Sequence, residues 1–283
     1  MAQTRIPMRF DYLRRLFSFL IISLVCLLFA GVVMGVIVGT GDTPTVRQIR
    51  LATIVQDVVA FILPALVTAI IVTPLPASML GADRMFRLSQ LLMAVGVMIA
   101  SIPAMNILID WNAHITLPES MSGIEKYLRR AEQQAAGTVE KMLGGEGAAQ
   151  LVVSVLIVGI LAGLSEELFF RGVLQRLIGS GPLGIHATIW ITAIIFSLFH
   201  MQFYGFFPRV LLGAFFGYLL WWSGSIWLPV IIHALNNTVY VVTYRNPEIN
   251  TDTFGLGDIW LGLASVICTA TLIMWLVKSQ SQR

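Results

Sequence analysis

The sequence predicts an all-α, polytopic membrane protein. Three observations carry that reading. Of the 283 residues, 57% are hydrophobic and only 12% are charged, about half the ~25% charged content of a soluble globular domain. Mean hydropathy is +0.83. The apolar residues gather in runs near the ~20 residues that cross a bilayer as a helix. The same composition excludes a disordered chain, a coiled coil and a nucleic-acid-binding domain. Cys26 and Cys268 lie in apolar runs near opposite ends, which speaks against a disulfide framework.

Eight candidate spans follow in order: about 16–38, 52–73, 88–109, 150–178, 186–203, 207–223, 226–244 and 257–277. The first is too long for the apolar core of a signal peptide and is read as an uncleaved span. Spans one, two, three and eight carry almost no charge, Asp57 being the exception. Asp57 is expected to face the interface or a polar neighbour, with no role assigned. The polar stretch 110–149 opens on turn residues. It continues as an amphipathic helix over about 121–143, where Ile124, Tyr127, Leu128, Ala131, Ala135, Val139 and Met142 recur every three or four residues. The expectation is an interfacial helix joining spans three and four, with a lid or substrate-entry element as the sharper alternative. The chain divides into 1–149, a core of 150–245 and a last helix in 246–283. No internal repeat is visible.

The charge balance is 18 Lys+Arg against 15 Asp+Glu, a net +3. With an even number of spans, Arg5, Arg9, Arg14, Arg15, Arg84, Arg87, Arg171, Arg176, Lys278 and Arg283 fall on one side. The positive-inside rule then places both termini in the cytoplasm.

Polar residues at depth are expensive in lipid and mark function. Span four holds Ser165, Glu166, Glu167 and Arg171; span five ends in Phe196 and His200; span seven holds His233, Asn236 and Asn237. Residues four apart share a helix face. Glu167 and Arg171 are therefore expected to pair within one helix, while Glu166 points elsewhere, on the face of Gly159 and Gly163. Those glycines permit close approach of another helix or of a substrate. His233 shares a face with Asn237, and Phe196 with His200. Asn236, off that face, reads as a helix contact. His114 and His186 read as interfacial, and Phe203–Phe207 as an aromatic belt at the membrane surface. Helix depth allows Glu166, His200, His233 and Asn237 to converge in a cavity open to the cytoplasm. There the carboxylate can act as a general base on water. Two imidazoles and an amide can hold a water, a metal ion or a developing oxyanion. No serine or cysteine is spaced beside a histidine as a nucleophile, so hydrolysis by activated water is the natural reading. The competing classes are a proton-coupled transporter or channel, and a non-catalytic membrane binding protein.

These residues form an ordered trio: Glu166-Glu167 with Arg171, Phe196 with His200, and His233 with Asn237. The trio resembles the signature of the CPBP (CAAX protease and bacteriocin-processing) family, also called the Abi or type II CAAX prenyl endopeptidase family, over about residues 150–245. The resemblance implies an intramembrane endopeptidase, expected to be of the prokaryotic type in a prokaryotic cell membrane. In its terms Glu166 activates the attacking water and His200 binds or orients it. His233 and Asn237 stabilise the oxyanion, and Glu167, Arg171 and Phe196 shape the site. It also implies membrane lipids and a membrane-associated peptide or protein, in some members prenylated, as partners. No cofactor and no nucleic acid are expected. A zinc ion, if bound, would be held by His200, His233 and Glu166, a set that lacks H-E-x-x-H spacing.

Overall fold

The structure, a computed structural model, describes residues 7–39, 43–249 and 252–281. Among them there is no strand. Arg5 and Arg283, used above for orientation, lie outside the described residues. Eight helices account for the eight apolar runs: α1 Tyr12–Val38, α2 Val46–Val72, α4 Leu88–Ala113, α6 Ala148–Gly179, α7 Ile185–Phe199, α8 Phe206–Ser223, α9 Trp227–Arg245 and α10 Ile259–Ser281. Two further helices lie between them, the short α3 Pro76–Leu80 and the amphipathic α5 Ser122–Leu143. Six of these eight are long and apolar enough to cross a membrane, so eight spans is approximate. The fifth, α7, is short, with 15 residues. The seventh, α9, is diluted by His233, Asn236 and Asn237 at its centre.

Local chemistry sets the ends. Asp11 caps α1 by accepting from the Arg14 amide at 3.0 Å. Thr45 and Gln48 form a reciprocal capping box that starts α2 six residues earlier than hydropathy alone suggested. Pro103 interrupts α4, and Ser265 of α10 meets the break by accepting from the Ala104 amide and donating to the Ala100 carbonyl. In α5, Glu125 accepts from Arg129 and from the Leu117 amide. Arg129 first, and then that amide, hold the Glu125 carboxyl below the usual carboxylate range.

The helices run back and forth between two ends of the bundle. At one end Thr73 donates to the Pro7 carbonyl, the Trp227 indole to the Ala82 carbonyl, and the Ser225 hydroxyl to the Arg84 carbonyl. At the other end Arg50 donates to the carbonyls of Met142 and Gly144 and to Ser154, and Arg245 donates to the Gly145 carbonyl. That second end carries α5.

Packing places α6 at the centre. Phe169, Phe170, Val173, Leu174 and Leu177 of α6 form one core with Ala65, Ala69 and Met79 of the second and third helices and with Phe19 and Phe196. The pairs α1–α2, α6–α9, α7–α8 and α4–α10 pack most extensively. Beyond its contact with α2, α1 is open: only 6% of its most apolar window is buried, against 50% in α8. The first helix is thus a lipid-facing edge, and the polar chemistry sits where helices six to nine meet.

Candidate active site

Helix α6 presents Glu166, Glu167 and Arg171. Its backbone hydrogen bonding widens to the π pattern over Val155–Leu161 and Leu168–Gln175, and that of α2 does so over Gln56–Ile62. Such widenings gather at functional sites. Here each one carries a group bonded at the site: the Val158 carbonyl, Arg171 with Gln175, and Asp57.

Glu167 and Arg171 pair as the four-residue spacing predicted. Arg171 Nη1 lies 2.7 Å from Glu167 Oε1, with both side chains wholly buried. The same Oε1 lies 2.8 Å from Nδ1 of His233. A carboxylate only accepts, so this contact assigns the hydrogen to Nδ1. Arg171 Nη2 also donates to the Gly213 carbonyl at 2.9 Å, and Gln175, one turn on, donates to the Gly217 carbonyl at 3.1 Å. A Cβ at Gly213 would lie 3.2 Å from Arg171 Nη2, and one at Gly217 2.7 Å from Gln175 Oε1. Two glycines one turn apart on α8 thus clear room for two polar side chains one turn apart on α6. The guanidinium lies 4.4 Å over the Phe196 ring, an arrangement that stabilises a desolvated cation.

Glu166 does differ from its neighbour. Its side chain keeps 17% of its exposure, and Oε2 lies 3.7 Å from His233 Nε2, too far for a hydrogen bond. His233 is stacked on Phe216 at 4.6 Å. It therefore stands between the two carboxylates, bonded to Glu167 by one nitrogen and turned to Glu166 by the other.

His200 caps α7. Its Nδ1 donates to the Phe196 carbonyl at 2.9 Å, which leaves Nε2 as an acceptor in the neutral ring. Phe196 joins the two imidazoles edge-on, 5.0 Å from His200 and 5.9 Å from His233. Glu166 and His233 are near enough for their charges to act on His200. The turn that follows passes through Met201 at φ 53°. Asn112 of α4 holds it, donating to the Phe203 carbonyl and accepting from the Phe207 amide. Asn237 sits one turn beyond His233 and donates to the Val158 carbonyl at 3.1 Å. Asn236 donates to its neighbour Asn237 at 3.4 Å.

The structure thus brings together Glu166, Glu167, Arg171, His233 and Phe196, with His200 linked through Phe196 and Asn237 against α6. One expectation changes. His200 lies where α7 ends, at the end of the bundle that carries α5, and Gln202 just beyond it donates to Glu132 of α5. The site was expected to open on the side of the termini, but at His200 it lies toward the opposite end. The cause is the direction of α7, which starts beside the end that holds the start of the first helix and runs away from it, so that its last turn meets the C-terminus of α4 and α5. Among the described residues, no group of three or more His, Cys, Asp or Glu side chains is arranged to hold a metal ion.

Sequence reasoning missed several contributors. Asp57 proves to be 3% exposed and accepts from Ser165 at 3.1 Å. Gln175 and the Gly213/Gly217 pair went unread, although small residues four apart in an apolar helix are a close-packing signal. Gly159 and Gly163 serve a helix: a Cβ at Gly163 would lie 2.9 Å from the Ala234 amide nitrogen, and one at Gly159 2.5 Å from Thr238 Oγ1.

An all-α membrane bundle with a carboxylate–imidazole site between its central helices is the class these features define. Residues 148–239 match the family model described as type II CAAX prenyl endopeptidase Rce1-like, and over that core the chain resembles this protease family, as its motifs indicated. The chain is also 24% identical over 102 residues to the uncharacterized protein YpbD of Bacillus subtilis (strain 168), a stretch covering 35% of this chain and 49% of the relative. It therefore spans about half the length of the curated relative it matches. No solved structure matches the chain.

Proposed function

We propose that this protein is an intramembrane endopeptidase in which Glu166 activates the attacking water. The observation that carries the reading is the division of labour between adjacent carboxylates. Glu167 is wholly buried and its Oε1 is engaged by Arg171 and His233, whereas Glu166 keeps partial exposure and His233 Nε2 stands off from its Oε2 at 3.7 Å. The match to a protease family supports the same reaction class.

In this mechanism a water lies between Glu166 and His200. His200 Nε2 accepts one hydrogen and fixes the water's orientation, and Glu166 takes the other proton as the oxygen attacks the peptide carbonyl. The oxyanion forms beside His233 Nε2 and the second amide hydrogen of Asn237. Donation from Nε2 needs His233 as imidazolium, with Glu167 and Glu166 as its counter-charges. One oriented donor of this kind typically contributes about 3 kcal/mol to the transition state. Glu166 then returns its proton to the leaving amine. The substrate class is a peptide or protein segment held at the membrane, either a prenylated C-terminus or a bacteriocin-like peptide. Both termini are assigned to the cytoplasm.

The test is cleavage of membrane-anchored quenched peptides, with and without a prenyl group, by the protein in liposomes. Glu166→Gln should abolish turnover while leaving the melting temperature near wild type, because the amide keeps the shape but cannot take a proton. Near-normal turnover in that variant would sink the general-base assignment.

A further inference from the structure

A carboxylate from a helix outside the three motifs reaches the same site. Asp57 lies in the π-type stretch of α2 and is 3% exposed. Its Oδ1 lies 3.1 Å from the Ser165 hydroxyl, and Ser165 is itself wholly buried. Ser165 immediately precedes Glu166. Its hydroxyl also lies 3.0 Å from the Ala162 carbonyl, one turn back on α6. The one hydroxyl hydrogen of Ser165 is thereby shared between an acceptor on its own helix and an acceptor on α2. Asp57 is also close enough to Glu166 for the two charges to interact. No cation stands within ion-pair distance of Asp57 among the described residues. Its Oδ2 is buried without a hydrogen-bond partner among them. A carboxyl in this setting is costly. A hydroxyl-to-backbone bond alone would have satisfied Ser165.

We propose that Asp57 is a positioning residue for Glu166, acting through the Ser165 hydroxyl to fix the turn of α6 that aims the Glu166 carboxyl at the reacting water. This rests on the endopeptidase reading for its consequence but not for its geometry. Helix α6 is held elsewhere by Arg171 and Gln175 on α8 and by the glycine contacts with α9. Asp57 supplies a hydrogen bond on the α2 side, beside the base itself. Freeing that side lets the Glu166 carboxyl relax by a fraction of an ångström without unseating the Glu167–Arg171–His233 chain. A misplacement of about 1 Å at a reacting group costs on the order of 100-fold in rate.

The experiment uses the full chain in liposomes and two readouts. One is turnover of an internally quenched farnesylated peptide. The other needs no activity: the rate at which a membrane-permeant carbodiimide labels Glu166, read by mass spectrometry. Asp57→Ala and Ser165→Ala should each lower kcat roughly 10- to 100-fold at unchanged KM. Each should also change the Glu166 labelling rate at least about threefold, with melting within about 3 °C of wild type. Asp57→Asn keeps an acceptor oxygen for Ser165 and should restore wild-type labelling and most of the turnover. Wild-type labelling of Glu166 in Asp57→Ala, or an Asp57→Asn variant as altered as Asp57→Ala, would overturn the proposal. If the labelling pattern holds while the peptide is not cut, or while Glu166→Gln still cuts it, the positioning role stands and the endopeptidase reading fails.

Discussion

Replacing Gly163 by alanine should push α9 away from α6 and misplace His233. An added Cβ would lie 2.9 Å from the Ala234 nitrogen, 3.1 Å from its Cα and 3.3 Å from its Cβ. Carbon contacts settle near 3.5–4.0 Å, so the shortfall is roughly half an ångström to one ångström. Two of the three atoms met are backbone, so no side-chain rotation relieves the clash and the helix itself must move. Alanine gains about 1 kcal/mol of helix propensity over glycine, and overpacking of this kind costs about 1–3 kcal/mol. The net loss of stability is therefore small, from about zero to 2 kcal/mol. Activity should suffer more, because His233 adjoins Ala234 and its 2.8 Å bond to Glu167 would lengthen by much of the same displacement. We expect kcat to fall roughly 10- to 100-fold while the melting temperature in detergent drops by no more than a few degrees. Ala234→Gly in the same chain should recover part of the loss, since it removes one of the three atoms met. At Gly96 an added Cβ meets only Leu272, at 3.8 Å, so Gly96→Ala serves as a control that should leave turnover unchanged. Wild-type turnover in Gly163→Ala, or an equal loss in Gly96→Ala, would refute the claim that this helix contact sets the site.

Three further outcomes follow from the same geometry. Glu167→Ala should destabilise the protein by about 3–5 kcal/mol, because it strands the fully buried Arg171; Glu167→Ala/Arg171→Ala should lose less, and equal melting temperatures for the two would remove the buried pair from the account. Turnover should survive thorough dialysis against a tight chelator; activity lost on dialysis, restored by stoichiometric zinc and matched by bound metal would instead make His200 and His233 ligands. In a chain lacking Cys26 and Cys268, a cysteine introduced at Glu119 should react with an impermeant reagent in intact cells and one at Arg9 should not; the reverse pattern would invert the orientation, and with it the side toward which His200 lies.

Much of this arrangement was legible in the sequence because it depends on period and composition. The Glu167–Arg171 pair follows from a four-residue spacing on any helix, and the eight apolar runs follow from bilayer thickness. The amphipathic α5 was placed almost to the residue, at Ser122–Leu143. What stayed hidden depends on which faces of distant helices meet. Asp57 and Ser165 are 108 positions apart, and nothing local in either run names the other. The end of the bundle toward which His200 lies was misjudged because α7 runs from the loop after α6 to the opposite end, which places its last turn there whatever its exact length. An apolar run reads on through Phe199 into the aromatic residues of the next turn, so hydropathy lengthens α7 to residue 203. The helix stops at Phe199 because the turn held by Asn112 and Ser197 begins there. His186, read as interfacial, is exposed and meets the Tyr218 hydroxyl at 2.8 Å.

The fully buried Arg171 has a consequence for how the chain is made. Helix α6 is synthesised before α8 and α9, so it reaches the bilayer when the Gly213 and Gly217 carbonyls and His233 do not yet exist as partners. A single charged residue at the centre of a span costs about 2.5–3.5 kcal/mol on insertion, and α6 carries Glu166, Glu167 and Arg171 together. The internal Glu167–Arg171 pair is the one compensation it brings with it, formed within its own turn and independent of later helices. Biogenesis therefore leans on this pair before catalysis does. A substitution there would leave a span retained by the insertion machinery or turned over by membrane quality control, so that loss of protein from the membrane, rather than loss of turnover, would be its first visible effect in cells.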